Sequence, residues 1–177
     1  MIIGHRGASA LEPENSLQAF ERARTDGADG VELDVLRCAT GEVVVFHDDD
    51  LTRLGGRRER IADLSLTELR SIQLISGARI PTLAEVFEAC GDSLLVNVEL
   101  KASGISGAQI RALVAGVAVE IKRAGRRLSD RVLVSSFHPR AIYAWHRQEP
   151  NVRAGLLFER DSAWPLRKAW ALPLVSS

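Results

Sequence analysis

Apolar residues along this chain recur in two rhythms, and the rhythms alternate. Short runs with a period of two are separated by stretches in which apolar positions return every three or four residues. Met1–Gly4 predicts a brief strand. Asn15 is expected to cap a helix across SLQAFERARTDG, with Leu17, Phe20 and Ala23 as its apolar stripe and Gly27 or Gly30 at its end. Gly30–Leu36 and Glu42–Phe46 read as strands joined by a hairpin loop at Ala39-Thr40-Gly41. From 48 to 80 the chain is more polar and richer in Arg and Gly, with a helical turn or two at Ser65–Ile72. Beyond it the pattern predicts a helix over Thr82–Cys90 that ends at Gly91, and a strand over Leu94–Leu100. An amphipathic helix over Gly107–Ala124, a strand at Val132–Ser135, a short helix at Pro139–His146 and a strand at Arg153–Phe158 follow. A helix at Trp164–Trp170 and a strand at Leu172–Val175 complete the series.

This βαβα alternation predicts an α/β fold with a mostly parallel sheet. No Pro-, Gly- or Ser-rich linker divides the chain, so residues 1–177 are expected to form one domain. Lys plus Arg and Asp plus Glu both number 23, so no net field favours nucleic acid or an anionic membrane, and no nucleic-acid partner is expected. Cys38 and Cys90 lack C-x-x-C spacing and read as buried thiols of a reducing compartment, a disulfide being the alternative. Met1 leads straight into Ile2-Ile3-Gly4 without a basic, then apolar, leader, and no apolar run reaches membrane-spanning length. A cytoplasmic location without a membrane span is the expectation.

The stretch GVELDVLR changes the picture. Val31, Leu33 and Val35 form the apolar face of its strand, which puts Glu32 and Asp34 together on the other face, roughly 7 Å apart. Like charges so placed repel each other and resist burial. A second apolar strand carries Glu99 with Lys101 two residues on, and VELD at 31–34 is echoed by VELK at 98–101, too short a match for a repeat. The first strand runs into His5-Arg6-Gly7, and the third ends in His47 and Asp48. Titratable groups at the C-terminal ends of parallel strands occupy the usual address of α/β active sites. A hard divalent cation such as Mg²⁺ or Ca²⁺, held by Glu32, Asp34 and Glu99, would offset the repulsion. The alternative is pairing of Glu32 or Asp34 with Arg6 or Arg37 and no metal. His5 and His47 form a candidate acid–base pair, whereas His138 and His146 lack acidic companions and read as surface residues. Arg6 and Lys101 beside such a centre point to an anionic ligand, most simply a phosphate; the alternative is that Lys101 only pairs with Glu99 or Asp34. The residues alone thus describe a metal-assisted enzyme acting on a phosphorylated small molecule.

The motifs HRG, PENS, ELD, FHD and VELK occur here in an order and spacing that closely resembles the glycerophosphodiester phosphodiesterases. The similarity is strongest over residues 3–56 and continues through IPTLAEVF and LLVNVELK. It implies a (β/α)8 TIM barrel with its active site at the C-terminal face. It also implies catalytic histidines at His5 and His47, metal carboxylates at Glu32, Asp34 and Glu99, and phosphate-binding Arg6 and Lys101. Glu14 and Asn15 match a Glu-Asn pair expected to organise the loop around the site. The implied reaction is metal-dependent hydrolysis of a glycerophosphodiester to sn-glycerol 3-phosphate and an alcohol such as choline or ethanolamine. His5 is read as the base and His47 as the acid, the reverse staying open, with water or the substrate's own 2-hydroxyl as nucleophile.

A complete eight-unit barrel typically takes about 250 residues, and the strand candidates here are spent at about the seventh. The expectation is a barrel lacking its last one to two β/α units: a truncated chain, an incompletely given one, or one whose barrel is closed by a second copy in a homo-oligomer. Two other functions fit the same motifs: a lysophospholipase-D-like phosphodiesterase on lipid substrates, and a catalytically silent barrel that binds metal or glycerol phosphate.

Overall fold

The computed structural model describes residues 1–91 and 93–158. Its elements run β1 (Ile3–His5), α1 (Leu17–Thr25), β2 (Gly30–Arg37), β3 (Val43–Val45), α2 (Thr52–Gly55), α3 (Leu66–Ser71) and α4 (Leu83–Cys90). They continue with β4 (Leu95–Leu100), α5 (Gly107–Ala124), α6 (Arg126–Ser129), β5 (Val132–Ser136), α7 (Pro139–Gln148) and β6 (Arg153–Leu156). The expected helix at 164–170 and strand at 172–175 lie outside the described residues. Strands β1, β2, β4, β5 and β6 pair in that order and all in parallel, while β3 pairs antiparallel with the end of β2. Over the described residues this is the α/β fold of part of a TIM barrel, with the hairpin of β2 and β3 as an added arm.

Residues opposite each other in a ladder share a face. Glu32 stands opposite His5 and Asn97, Asp34 opposite Glu99, and Glu99 opposite Ser135. The other face carries Val31, Leu33 and Val35 of β2 with Val96, Val98 and Leu100 of β4, all buried against Phe20 of α1, Val86 and Phe87 of α4, and Leu113 and Val117 of α5. Each such side chain stabilises the fold by about 1.5–3 kcal/mol through burial, so the register that hides the valines also presents the acids as a group. A one-residue slip would exchange the two sets. A second apolar cluster (Leu36, Val44, Phe46, Leu51, Ile61 and Leu69 among its members) lies under the segment after β3.

Helix caps follow local chemistry. Ser65, Thr82 and Ser106 each accept from the backbone N–H three residues on, and Glu68, Glu85 and Gln109 reach back to complete capping boxes. At α1 the expectation of an Asn15 cap is corrected. Ser16 is the cap, its hydroxyl accepting from Ala19 N–H, while Asn15 sits one residue earlier at φ 56° with its side chain committed elsewhere. His138, expected at the surface, is partly buried and caps α7, its Nδ1 accepting from Arg140 N–H. Cys38 and Cys90 are buried free thiols, and burial pushes the Cys90 thiol up to about 12. Among the described residues no helix is long and apolar enough to cross a membrane.

The turn after β1 depends on Gly7. Its φ is +80°, and a Cβ there would lie 2.7 Å from the Ala19 carbonyl carbon, in contact with helix backbone that cannot step aside. Gly7→Ala is expected to lower stability by about 2 kcal/mol or more, from left-handed strain plus the clash. Urea denaturation of wild type and variant checks it, and unchanged midpoints would contradict this account of the turn.

Candidate active site

β2 and β4 deliver the acids. Ligand oxygens of Glu32, Asp34 and Glu99 lie within 4.8 Å of one another, and all three residues are buried. Glu32 Oε2 accepts from Arg6 N–H at 3.0 Å and stands 3.7 Å from His5 Nε2. Its other oxygen, Oε1, is buried and finds no hydrogen-bond donor among the described residues. Asp34 Oδ2 accepts from Asn15 Nδ2 at 2.9 Å. The Arg6 Nε lies 3.3 Å from the same oxygen, close enough for charge attraction but without hydrogen-bond alignment. Lys101 Nζ contacts Glu99 Oε1 at 3.0 Å and Asp34 Oδ1 at 3.4 Å. Both basic residues therefore face the acids, as the ion-pair alternative requires, yet two cations do not offset three buried carboxylates, and Glu32 Oε1 stays unsatisfied. An orphaned carboxylate oxygen beside two others is a donor set suited to a hard divalent cation, so the residues fit the metal that the sequence implied. Arg37 is not among them: its Nε donates to Gly41 O in the hairpin loop.

Two residues on this rim hold a left-handed backbone, Arg6 at φ 56°, where it is strained, and Asn15 at φ 56°, a residue type that tolerates it better. Strain of this kind persists where surrounding contacts over-determine it. For Asn15 the contacts are the bond to Asp34 Oδ2 and a second, from Asp34 N–H to Asn15 Oδ1 at 3.3 Å. For Arg6 they are its N–H on Glu32 and its guanidinium on Glu14 Oε1 at 3.0 Å. Glu14 and Asn15 are thus both at the site, the first through basic side chains and the second through Asp34.

His47 arrives on the hairpin arm. Phe46 N–H donates to Asp34 O, which brings the arm to the acids, and His47 Nδ1 pairs with Asp48 Oδ1 at 2.6 Å. Burial pushes the Asp48 carboxyl up, but hydrogen bonds and charge from Arg53 and His47 outweigh it and hold the carboxyl below its usual value. His5, Arg6, Glu32, His47, Asn97, Glu99 and Lys101 line one cleft of about 720 Å³, together with Ser103, Phe137 and Leu157. Asn97 and Arg53 escaped the sequence reading. Asn97 carried a signal, since it lies two residues before Glu99 and shares its face; Arg53, in a polar stretch among other arginines, carried none.

Burial pushes the Glu32 carboxyl up to about 7, and the charges of Asp34 and Glu99 add to the shift against the favourable Arg6 N–H. In protein stripped of cations, a carboxyl raised from 4.5 to about 7 makes the folded state the better proton binder between those values. This contribution is fully present below about pH 4.5 and is lost as pH rises through 7, by an order of 3 kcal/mol. Glu14 and Asp48, whose carboxyls are held low, act oppositely and only as pH falls through the carboxylate range. Urea midpoints in chelator are therefore expected to drop between pH 5 and pH 8, and millimolar Mg²⁺ or Ca²⁺ at pH 8 is expected to restore them. A midpoint that rises over the same interval in chelator would refute the assignment.

Residues 5–176 match the model of the glycerophosphoryl diester phosphodiesterase family. The chain is 36% identical to a glycerophosphodiester phosphodiesterase of Caldanaerobacter subterraneus subsp. tengcongensis, over 99% of this chain and 74% of that protein. It is 34% identical to one of Bacillus altitudinis, over 88% of this chain and 65% of the relative, so it spans about two thirds to three quarters of these proteins. Among solved structures, an Oleispira antarctica phosphodiesterase in complex with the product sn-glycerol-3-phosphate superposes with a TM-score of 0.83 at 28% identity, over 97% of this chain and 71% of the other. The Thermotoga maritima glycerophosphodiester phosphodiesterase gives 0.72 at 34% identity, over 90% and 62%. With carboxylates, histidines and basic residues gathered in one cleft of a parallel α/β sheet, the chain belongs to the glycerophosphoryl diester phosphodiesterase family.

Proposed function

We propose that the chain hydrolyses soluble glycerophosphodiesters to sn-glycerol 3-phosphate and an alcohol, with a divalent cation held by Glu32, Asp34 and Glu99. The observation that carries the reading is the triad itself: three buried carboxylates with one oxygen orphaned, flanked by two histidines and two basic side chains. When bound, the cation would supply Lewis-acid polarisation and a template for the diester. Arg6 and Lys101 hold the phosphoryl oxygens and offset the charge that builds on them. Lys101 suits this role because its flexible stem lets the ammonium serve carboxylates and phosphate alike. His5, its side chain exposed at the cleft and 3.7 Å from Glu32 Oε2, takes the proton from the attacking hydroxyl. His47, its Nδ1 engaged by Asp48, presents Nε2 to the leaving alkoxide and protonates it. The cleft wall is mostly charged or polar, with Phe137 and Leu157 as its apolar members, which favours a small polar diester over a lysophospholipid.

Release of glycerol 3-phosphate from glycerophosphocholine is expected in Mg²⁺ or Ca²⁺ and is expected to stop in chelator. Lysophosphatidylcholine is expected to be the poorer substrate. Preferential turnover of the lipid would favour the lysophospholipase-D-like reading instead.

His5→Ala and His47→Ala are each expected to lower kcat by roughly 10²–10⁴-fold, the range for loss of a general acid or base. Cation binding, followed by calorimetry, is expected to survive both. Turnover that persists in His47→Ala would remove it from the mechanism, and Glu99→Gln is expected to weaken the cation instead.

A further inference from the structure

We propose that Arg53 is a positioning residue for proton transfer by His47: its guanidinium locks the Asp48 carboxylate behind the imidazole and ties it to the Arg6 side of the cleft. The proposal rests on the reading of His47 as the acid.

Among the described residues some surface ion pairs are local: Arg22–Asp26, Arg24–Glu21 and Arg123–Glu120 each join residues one helical turn apart. The long-range Arg70–Glu85 and Lys122–Glu149 pairs each join one cation to a single carboxylate. Arg53 differs in kind. It stands in α2, and its fork closes on Glu14, 39 residues away, with Nη1 donating to Oε2 at 2.9 Å and Nη2 to Oε1 at 2.7 Å. Its Nε donates to Asp48 Oδ2 at 2.7 Å. Asp48 spends its remaining oxygen, Oδ1, on His47 Nδ1. Glu14 in turn accepts from Arg6 Nη1 on Oε1. One side chain thus joins two loops that no strand pairing connects, the turn after β1 and the segment after β3.

The geometry has a chemical consequence. A carboxylate with one oxygen on an imidazole and the other in solvent can rotate and release the ring. With Oδ2 held by Arg53, Asp48 keeps Oδ1 on Nδ1–H; of the two protons on the imidazolium it is the one on Nε2 that passes to the leaving alkoxide, and the neutral ring left behind keeps its proton on Nδ1. Glu14, below its usual value chiefly through its hydrogen bond from Arg53, stays ionised as the anchor of the clamp. Lysine at 53 would keep the charge and lose the fork, which needs three donors in one plane.

The test compares wild type, Arg53→Met, Arg53→Lys and His47→Ala on glycerophosphocholine and on the glycerol 3-phosphate diester of 4-nitrophenol. Choline must be protonated as it leaves; 4-nitrophenolate departs as a stable anion. Arg53→Met is expected to lose about 100-fold in kcat on the choline diester and under about tenfold on the aryl diester, with Arg53→Lys between it and wild type. Equal losses on both diesters, or a loss confined to KM, would make Arg53 a structural staple and overturn the proposal. His47→Ala calibrates the comparison: if it too loses equally on both, the acid assignment of His47 fails. Histidine ¹⁵N spectra separate the two failures, because they need no turnover. Wild type is expected to show His47 protonated at Nδ1 in its neutral form, and Arg53→Met a mixture of tautomers. An unchanged tautomer in that variant overturns the clamp whatever the kinetics show.

Discussion

Three carboxylates buried side by side are the constraint on which this structure turns. Glu32, Asp34 and Glu99 sit on paired strands with ligand oxygens within 4.8 Å of one another. Removing such charges from water costs several kcal/mol each before their mutual repulsion is counted. Much of the surrounding architecture reads as a response. The backbone of Arg6 turns left-handed and puts its N–H on Glu32; Asn15 does the same and puts its amide on Asp34; Lys101 folds back onto Asp34 and Glu99. A trio of apolar residues in their place would make a more stable sheet and need none of these devices. That the chain carries the acids together with the strained turns around them is the strongest physical argument for a cation.

The parts of this arrangement set by strand periodicity were legible in the sequence. GVELDV and LVNVELK declare their faces by alternation alone, and the helix Gly107–Ala124 announces both of its ends. The hairpin loop at 39–41 indicated that the third strand folds back on the second, as the antiparallel pairing of β2 and β3 bears out. The resemblance, rather than periodicity, joined these pieces into a barrel. What stayed hidden depends on contacts remote along the chain. Asn15 and Ser16 are both good capping residues, and only the bond to Asp34, 19 residues on, decides that Ser16 caps the helix. Arg53 looks like any surface arginine until folding brings Glu14 to it.

The site also joins two kinds of support. Its acids ride on the parallel ladder, backed by the main core under α1, α4 and α5. His47 rides on the arm. Val43 and Val45 face that same core, but Val44 and Phe46 turn toward the smaller cluster, which also holds Leu51, Ile61 and Leu69.

The arm with its own small core makes the candidate site a meeting of two apolar clusters. Segments with fewer apolar contacts open at lower free energy than the sheet that carries them. If the smaller cluster opens first, His47 is expected to withdraw while the parallel strands stay in register. On the proposed role of His47, loss of activity and loss of fold are then separate events, and activity is expected to disappear at a lower temperature than the one at which the chain melts.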